Sequence, residues 1–181
     1  GLVTFARYPY HVSPLTLNHT WLLKNLERLK TGLIEDGTAI GSAITMSVNR
    51  LKDLKAKTRL IILLTDGVNN YGDVAPLLAA EIANNFQKQI DTIMVGNDQI
   101  FPVDDQTLVQ MAEKSGGRFY RAYDVHTLQK VYEEIDTLEK TKIELQGYYE
   151  YIEFFPLFLV ICFLLLIIEF LLKKYRYRIL S

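Results

Sequence analysis

Apolar positions follow two alternating rhythms along the first 140 residues: short continuous runs, and stripes at helical spacing. Leu2 to Ala6 (LVTFA) is a β-type run. Tyr8 to Leu15 (YPYHVSPL) reads as a short edge strand, because its prolines lack the N–H that a ladder needs on both sides. Leu22, Leu26 and Leu29 then recur at helical spacing, with Asn18 or Thr20 placed to cap the start and Thr31-Gly32 to stop it. Asn18-His19-Thr20 is formally a glycosylation sequon, but its position favours capping. After the loop Ile34-Glu35-Asp36-Gly37, a second helix carries Ile40, Ile44, Val48 and Leu51 on one face, with Thr38 at its N-terminus.

Arg59 to Thr65 (RLIILLT) is an apolar run of strand length that stops at Asp66-Gly67, and such runs are buried on both faces, as central parallel strands are. Pro76 opens a helix reaching about Gln87, and Ile90 to Val95 is a strand ending at Gly96. Asp104 or Asp105 caps a helix that Gly116-Gly117 terminates, and Arg118 to Ala122 is the last strand. Asp124 caps a helix with Leu128, Val131, Ile135 and Leu138 on its inner face, and residues 139–153 form a charged, aromatic stalk. Strands alternating with helices predict an α/β domain with a mostly parallel sheet covered on both sides.

The rhythm breaks at residues 154–172, where most of the excess apolar content lies and Glu169 is the only charged residue. Nineteen helical residues reach roughly 28 Å, close to a bilayer hydrocarbon core. A buried core helix is the other reading, but Phe158 to Ile168 (FLVICFLLLII) has no polar stripe. One C-terminal transmembrane helix is therefore expected. Lys173, Lys174, Arg176 and Arg178 follow it, interleaved with Tyr175 and Tyr177, whereas Glu144, Glu150 and Glu153 precede it. Basic residues stay cytoplasmic, so the tail 173–181 is expected inside and the α/β domain outside the cytoplasm. Pro156 falls in the first turn, and Glu169 is near enough to the inner face to pair with Lys173.

Setting Glu169 and those four basic residues aside leaves a net charge of −4 in residues 1–153, which argues against a nucleic-acid module. Cys162 is the single cysteine, so no intrachain disulfide is available and the domain must be held by its core. The chain opens on Gly1 without an apolar signal segment; an exported domain needs one, so the natural protein is expected to begin upstream.

Ligands of open α/β sheets bind beyond the carboxyl ends of the strands. Asp66 stands at such an end, where Gly67 lets the backbone turn, and a carboxylate there can hold a hard divalent cation or simply cap the loop through Asn69 and Asn70. Thr38 is either a second oxygen donor to the same crevice or a plain N-cap. His11, His19 and His126 show no ligand spacing.

The segment Glu35-Asp36-Gly37-Thr38-Ala39-Ile40-Gly41, followed by Ile61-Ile62-Leu63-Leu64-Thr65-Asp66-Gly67, closely resembles von Willebrand factor A (vWA) domains over residues 1–138. With the stalk and the basic-tailed apolar segment, the chain looks most like bacterial aerotolerance-type (Bat) membrane proteins. The resemblance implies a Rossmann-like fold and a metal-ion-dependent adhesion site with Thr38 and Asp66 as ligands, supported by Asp36, Gly37 and Gly67. It also implies Mg2+ or a similar divalent cation, and no enzymatic activity. Implied partners are sibling Bat-type membrane proteins and, indirectly, a MoxR-type AAA+ ATPase; the implied location is the bacterial inner membrane with the vWA domain periplasmic. The family's D-x-S-x-S loop occurs nowhere in this sequence. In the family's strand order, 3-2-1-4-5-6, the strand that carries it is central, so Leu2–Ala6 and Leu60–Leu64 are expected to face each other across an empty slot, with unpaired ladder groups. Residues 1–181 alone are then expected to fold poorly and to bind a divalent cation more weakly than millimolar. The competing functions are a Mg2+-dependent phosphoryl-transfer hydrolase, disfavoured because Asp66 is followed by Gly67-Val68 rather than D-x-D, and a metal-free membrane scaffold.

Overall fold

The computed structural model describes residues 1–30, 32, 35–52, 59–96, 105–145 and 155–179, with side chains described there except at 141–145, 155–157, 161, 171–172 and 174–179. They form two compact units, Gly1–Leu145 and Gln146–Ser181. The expected roles of Thr31, Ile34 and Asp104, and of stalk residues 146–153, fall outside the described residues.

In the first unit, β1 (Leu2–Phe5) pairs antiparallel with β2 (Pro9–Ser13), and α1 (His19–Glu27) and α2 (Ile40–Leu51) follow. β3 (Leu60–Thr65), α3 (Pro76–Asn85), β4 (Gln89–Val95), α4 (Asp105–Ser115), β5 (Phe119–Ala122) and α5 (Val125–Leu145) then alternate. β3, β4 and β5 form a parallel sheet in that order, with Leu60 opposite Gln89 and Thr92 opposite Phe119. The α/β, mostly parallel reading therefore holds.

Helix boundaries follow their caps. The Asn18 side chain accepts from the Trp21 N–H at 3.0 Å and starts α1. Asp124 accepts from the backbone and hydroxyl of Thr127 and starts α5. Pro76 occupies the first turn of α3, and Gly116, at φ +75°, ends α4. α1 stops at Glu27, short of the expected Thr31-Gly32, because it buries no residue that would hold another turn. α5 runs on to Leu145, with ion pairs such as Lys140 to Asp136 one turn apart along its surface.

One core lies between the sheet and α2, α3 and α4. Ile40, Ile44 and Val48 of α2 meet Ile61 and Leu63 of β3, Ala79, Ala80 and Ala83 of α3, and Met111 of α4. Fully burying each large aliphatic side chain stabilises by roughly 1.5–3 kcal/mol. Gly41 lets α2 approach the next layer: a Cβ there would lie 2.0 Å from the carbonyl oxygen of Val74. On the other face, Val131 and Ile135 of α5 pack against Ile93 of β4 and Ala122 of β5, and of β3 only Leu60 joins that cluster among the described residues.

That uneven cover corrects the expectation that β3 is buried on both faces. Ile61 and Leu63 are buried, whereas Ile62 and Leu64 are 39% and 41% exposed. Among the described residues, β3 has no ladder partner opposite β4, and β1 none opposite β2. The two strands run the same way: their N-terminal ends, at Leu2-Val3 and Leu60 to Ile62, border one cavity of about 240 Å3, while their C-terminal ends meet a common loop.

In the second unit, α6 (Phe155–Ile179) is a single helix whose described apolar residues, including Phe158, Leu164 and Ile168, are exposed. Lys173 pairs with Glu169 at 2.7 Å, as their spacing anticipated. No helix among the described residues is long and apolar enough to cross a membrane, so the described residues do not bear out the span expected at 154–172.

Candidate metal centre

Three segments converge at the carboxyl ends of β1 and β3: residues 6–7 after β1, residues 35–39 before α2, and residues 66–72 after β3. The Ala39 N–H donates to the Ala6 carbonyl at 2.9 Å, and Arg7 N–H to Glu35 O at 3.3 Å. The Asn70 and Tyr71 N–H groups both donate to Thr38 O, at 3.1 and 3.3 Å. Two side chains complete the lacing: Asn70 Oδ1 accepts from Thr38 N–H at 2.7 Å, and Asn69 Oδ1 from Ile40 N–H at 2.8 Å.

These bonds bring the two expected ligands to one rim. A Cβ on Gly67 would lie 3.5 Å from Thr38 Oγ1, so the threonine hydroxyl faces the turn that directly follows Asp66. Asp66 is exposed at the end of β3, Thr38 is half-buried, and Asp36 is exposed in the neighbouring loop. Gly37 is needed where it stands, since a Cβ there would come within 2.5 Å of the Tyr71 ring.

Two details differ from the plain capping alternatives. Ala39, not Thr38, is the N-cap of α2, and its side chain makes no capping bond; Asn69 supplies the acceptor from another loop. The two asparagines are turned toward the loop before α2. Sequence reasoning missed this role, because bonds reaching 29 and 32 residues back leave no local pattern. The other missed feature is Arg7, which ion-pairs with Glu35 and lies over the Tyr71 ring at 4.7 Å. Glu35 beside it raises the guanidinium pKa further above its ordinary range.

Oxygen donors suit a hard cation, and Mg2+ is commonly held by only one or two protein carboxylates while keeping several waters. Among the described residues no three His, Cys, Asp or Glu side chains cluster as a metal site. Thr38 and Asp66 offer oxygen donors, the ligand type that a hard cation takes.

A parallel sheet layered with helices, and oxygen-bearing loops converging at its carboxyl rim, define an open α/β binding domain. The von Willebrand factor type A domain model matches residues 1–134, and the chain belongs to that family. A Borreliella burgdorferi protein described as uncharacterized is 26% identical over 192 residues, covering 96% of this chain and 56% of its own. A UPF0353 protein of Mycolicibacterium paratuberculosis is 28% identical over 158 residues, covering 75% and 47%. The chain thus spans about half the length of the curated relatives it matches. Among solved structures, BatB of Bacteroides thetaiotaomicron shares the fold at TM-score 0.66 and 23% identity, over 76% of this chain and 78% of that one. An aerotolerance-related membrane protein of Bacteroides fragilis does so at 0.62 and 22%, over 73% and 75%. A mussel byssus matrix protein with a zinc-occupied adhesion motif does so at 0.58 and 23%, over 76% and 33%.

Proposed function

We propose that this chain is part of a membrane-anchored vWA binding module in which Thr38 and Asp66 donate oxygens to Mg2+ or a similar divalent cation. The observation that carries the reading is the lacing of the two loops, which sets the Thr38 hydroxyl against the Asp66-Gly67 turn. When bound, the cation supplies an open coordination position for a carboxylate of a partner protein. The chain's own residues do the rest: Asp66 and Thr38 position the ion, Asn69 and Asn70 fix their loops, and Gly37 and Gly67 keep the approach open. The zinc-occupied motif of the mussel protein supports a divalent ion on this fold.

The apolar run 154–172 is the anchor in this reading, with the tail 173–181 cytoplasmic and the vWA unit periplasmic. The basic residues after the run support that orientation. Sibling aerotolerance-type membrane proteins are the proposed partners, with a MoxR-type ATPase linked indirectly. The test is capture of partners by the full-length membrane protein with and without chelator. Capture should fall on chelation, return with Mg2+, and be lost in Asp66→Ala. Capture indifferent to chelator and to Asp66→Ala would instead favour a metal-free scaffold, and phosphatase activity abolished by Asp66→Ala a hydrolase.

A further inference from the structure

Arg7 sits on the same rim and has no part in holding the ion. Its guanidinium lies 4.7 Å from the Tyr71 ring centre and 6.0 Å from that of Tyr8. The stack is fixed from below, because a Cβ on Gly37 would fall 2.5 Å from Tyr71 Cδ2 and 3.0 Å from Arg7 Cα. Among the described residues the guanidinium donates only through Nη1, to Glu35 Oε2. A guanidinium carries five N–H donors in a rigid fork, so most of its donors remain open beside a weak, exposed ion pair. Tyr8 and Tyr71 are themselves 62% and 41% exposed, and Val68 is exposed close to Asp66. Arginine and tyrosine held rigid at a surface are the residues that dominate protein interfaces.

We infer that Arg7 is a second anion anchor on this rim, placed to take a carboxylate of an acidic segment in a partner protein; this rests on the partner-binding reading above. One acidic side chain of that segment is assigned to the cation position at Thr38 and Asp66, another to the Arg7 fork. Glu35 occupies the anchor in the free protein and is the group the partner displaces. Tyr71 keeps the fork flat and aimed, which lowers the ordering cost of a bidentate grip.

The test uses the full-length membrane protein in detergent and two fluorescein-labelled probes, hexaglutamate and hexaglutamine, followed by anisotropy with Mg2+ and with chelator. Hexaglutamate should bind better than hexaglutamine. Arg7→Gln should weaken hexaglutamate by about tenfold, and Arg7→Lys by about threefold through loss of the fork. Glu35→Gln should tighten it by about two- to fivefold, since it frees the anchor; a merely structural pair would show loss there too. Urea titration of each variant separates binding loss from misfolding. Parent-like binding by Arg7→Gln, weakening by Glu35→Gln, or no preference for hexaglutamate overturns the proposal. If chelator and Asp66→Ala change nothing while the Arg7 and Glu35 effects persist, the cation reading fails and this one stands.

Discussion

The amino and carboxyl ends of β1 and β3 are held differently relative to each other. At the carboxyl end, backbone bonds from Ala39, Asn70 and Tyr71 and side-chain bonds from Asn69 and Asn70 tie three loops into one surface. At the amino end no hydrogen bond joins the strands among the described residues, and a cavity of about 240 Å3 lies between Leu2-Val3 and Leu60 to Ile62, lined also by Arg50 and Leu51 of α2. The carboxyl end needs no ladder between the strands because its loops satisfy one another. At the amino end the strand edges face a cavity, and an edge without a ladder neighbour has no such alternative. Hydrogen-bonded order between the two strands is thus concentrated at their carboxyl ends among the described residues.

The largest effect should come from removing the close approach that supports the laced end. Gly41→Val puts atoms where the Val74 carbonyl stands, and it should cost about 3 kcal/mol or more in urea unfolding. Tolerance of valine there would show that α2 is not pinned to the 72–75 segment. Asn69→Ala comes next: it leaves the Ile40 N–H without its acceptor and should cost about 1–2 kcal/mol, with Asn70→Ala similar and the pair less than additive. Equal stability of all three variants with the parent would mean that the lacing is incidental. At the open end, Ile62→Thr should shift stability by less than about 1 kcal/mol, because Ile62 is 39% exposed. Amide exchange sharpens the contrast. Arg59 O accepts from Gln89 N–H, so in a parallel ladder Ile61 and Leu63 turn toward β4, and Ile62 and Leu64 away from it. The second pair should exchange much faster, and equal protection of both pairs would mean that the far edge of β3 is covered.

Much of this was legible in the residues. The apolar stripes of α2 and α5, the Asp124 cap, Pro76 and Gly116 each act locally, so their placement in the sequence predicts their placement in the fold. Thr38 and Asp66 were paired by the resemblance of their two segments to vWA domains, since each residue alone fits a plain cap as well. The exposure of Ile62 and Leu64 was not, since an apolar run carries no mark of which layers will cover it. Nor were the Asn69 and Asn70 bonds or the Arg7–Tyr71 stack, which join residues that only the tertiary fold brings together.

The central claim is that Thr38 and Asp66 form one cation-accepting rim, and weak binding does not prevent its direct test. In the 15N-labelled chain, added Mn2+ should broaden the backbone amides of residues 36–39 and 66–71 before all others, and Asp66→Ala should remove that broadening. Early broadening at the acidic face of α5 around Glu133 and Asp136 with a sharp rim, or a rim unaffected by Asp66→Ala, would contradict it.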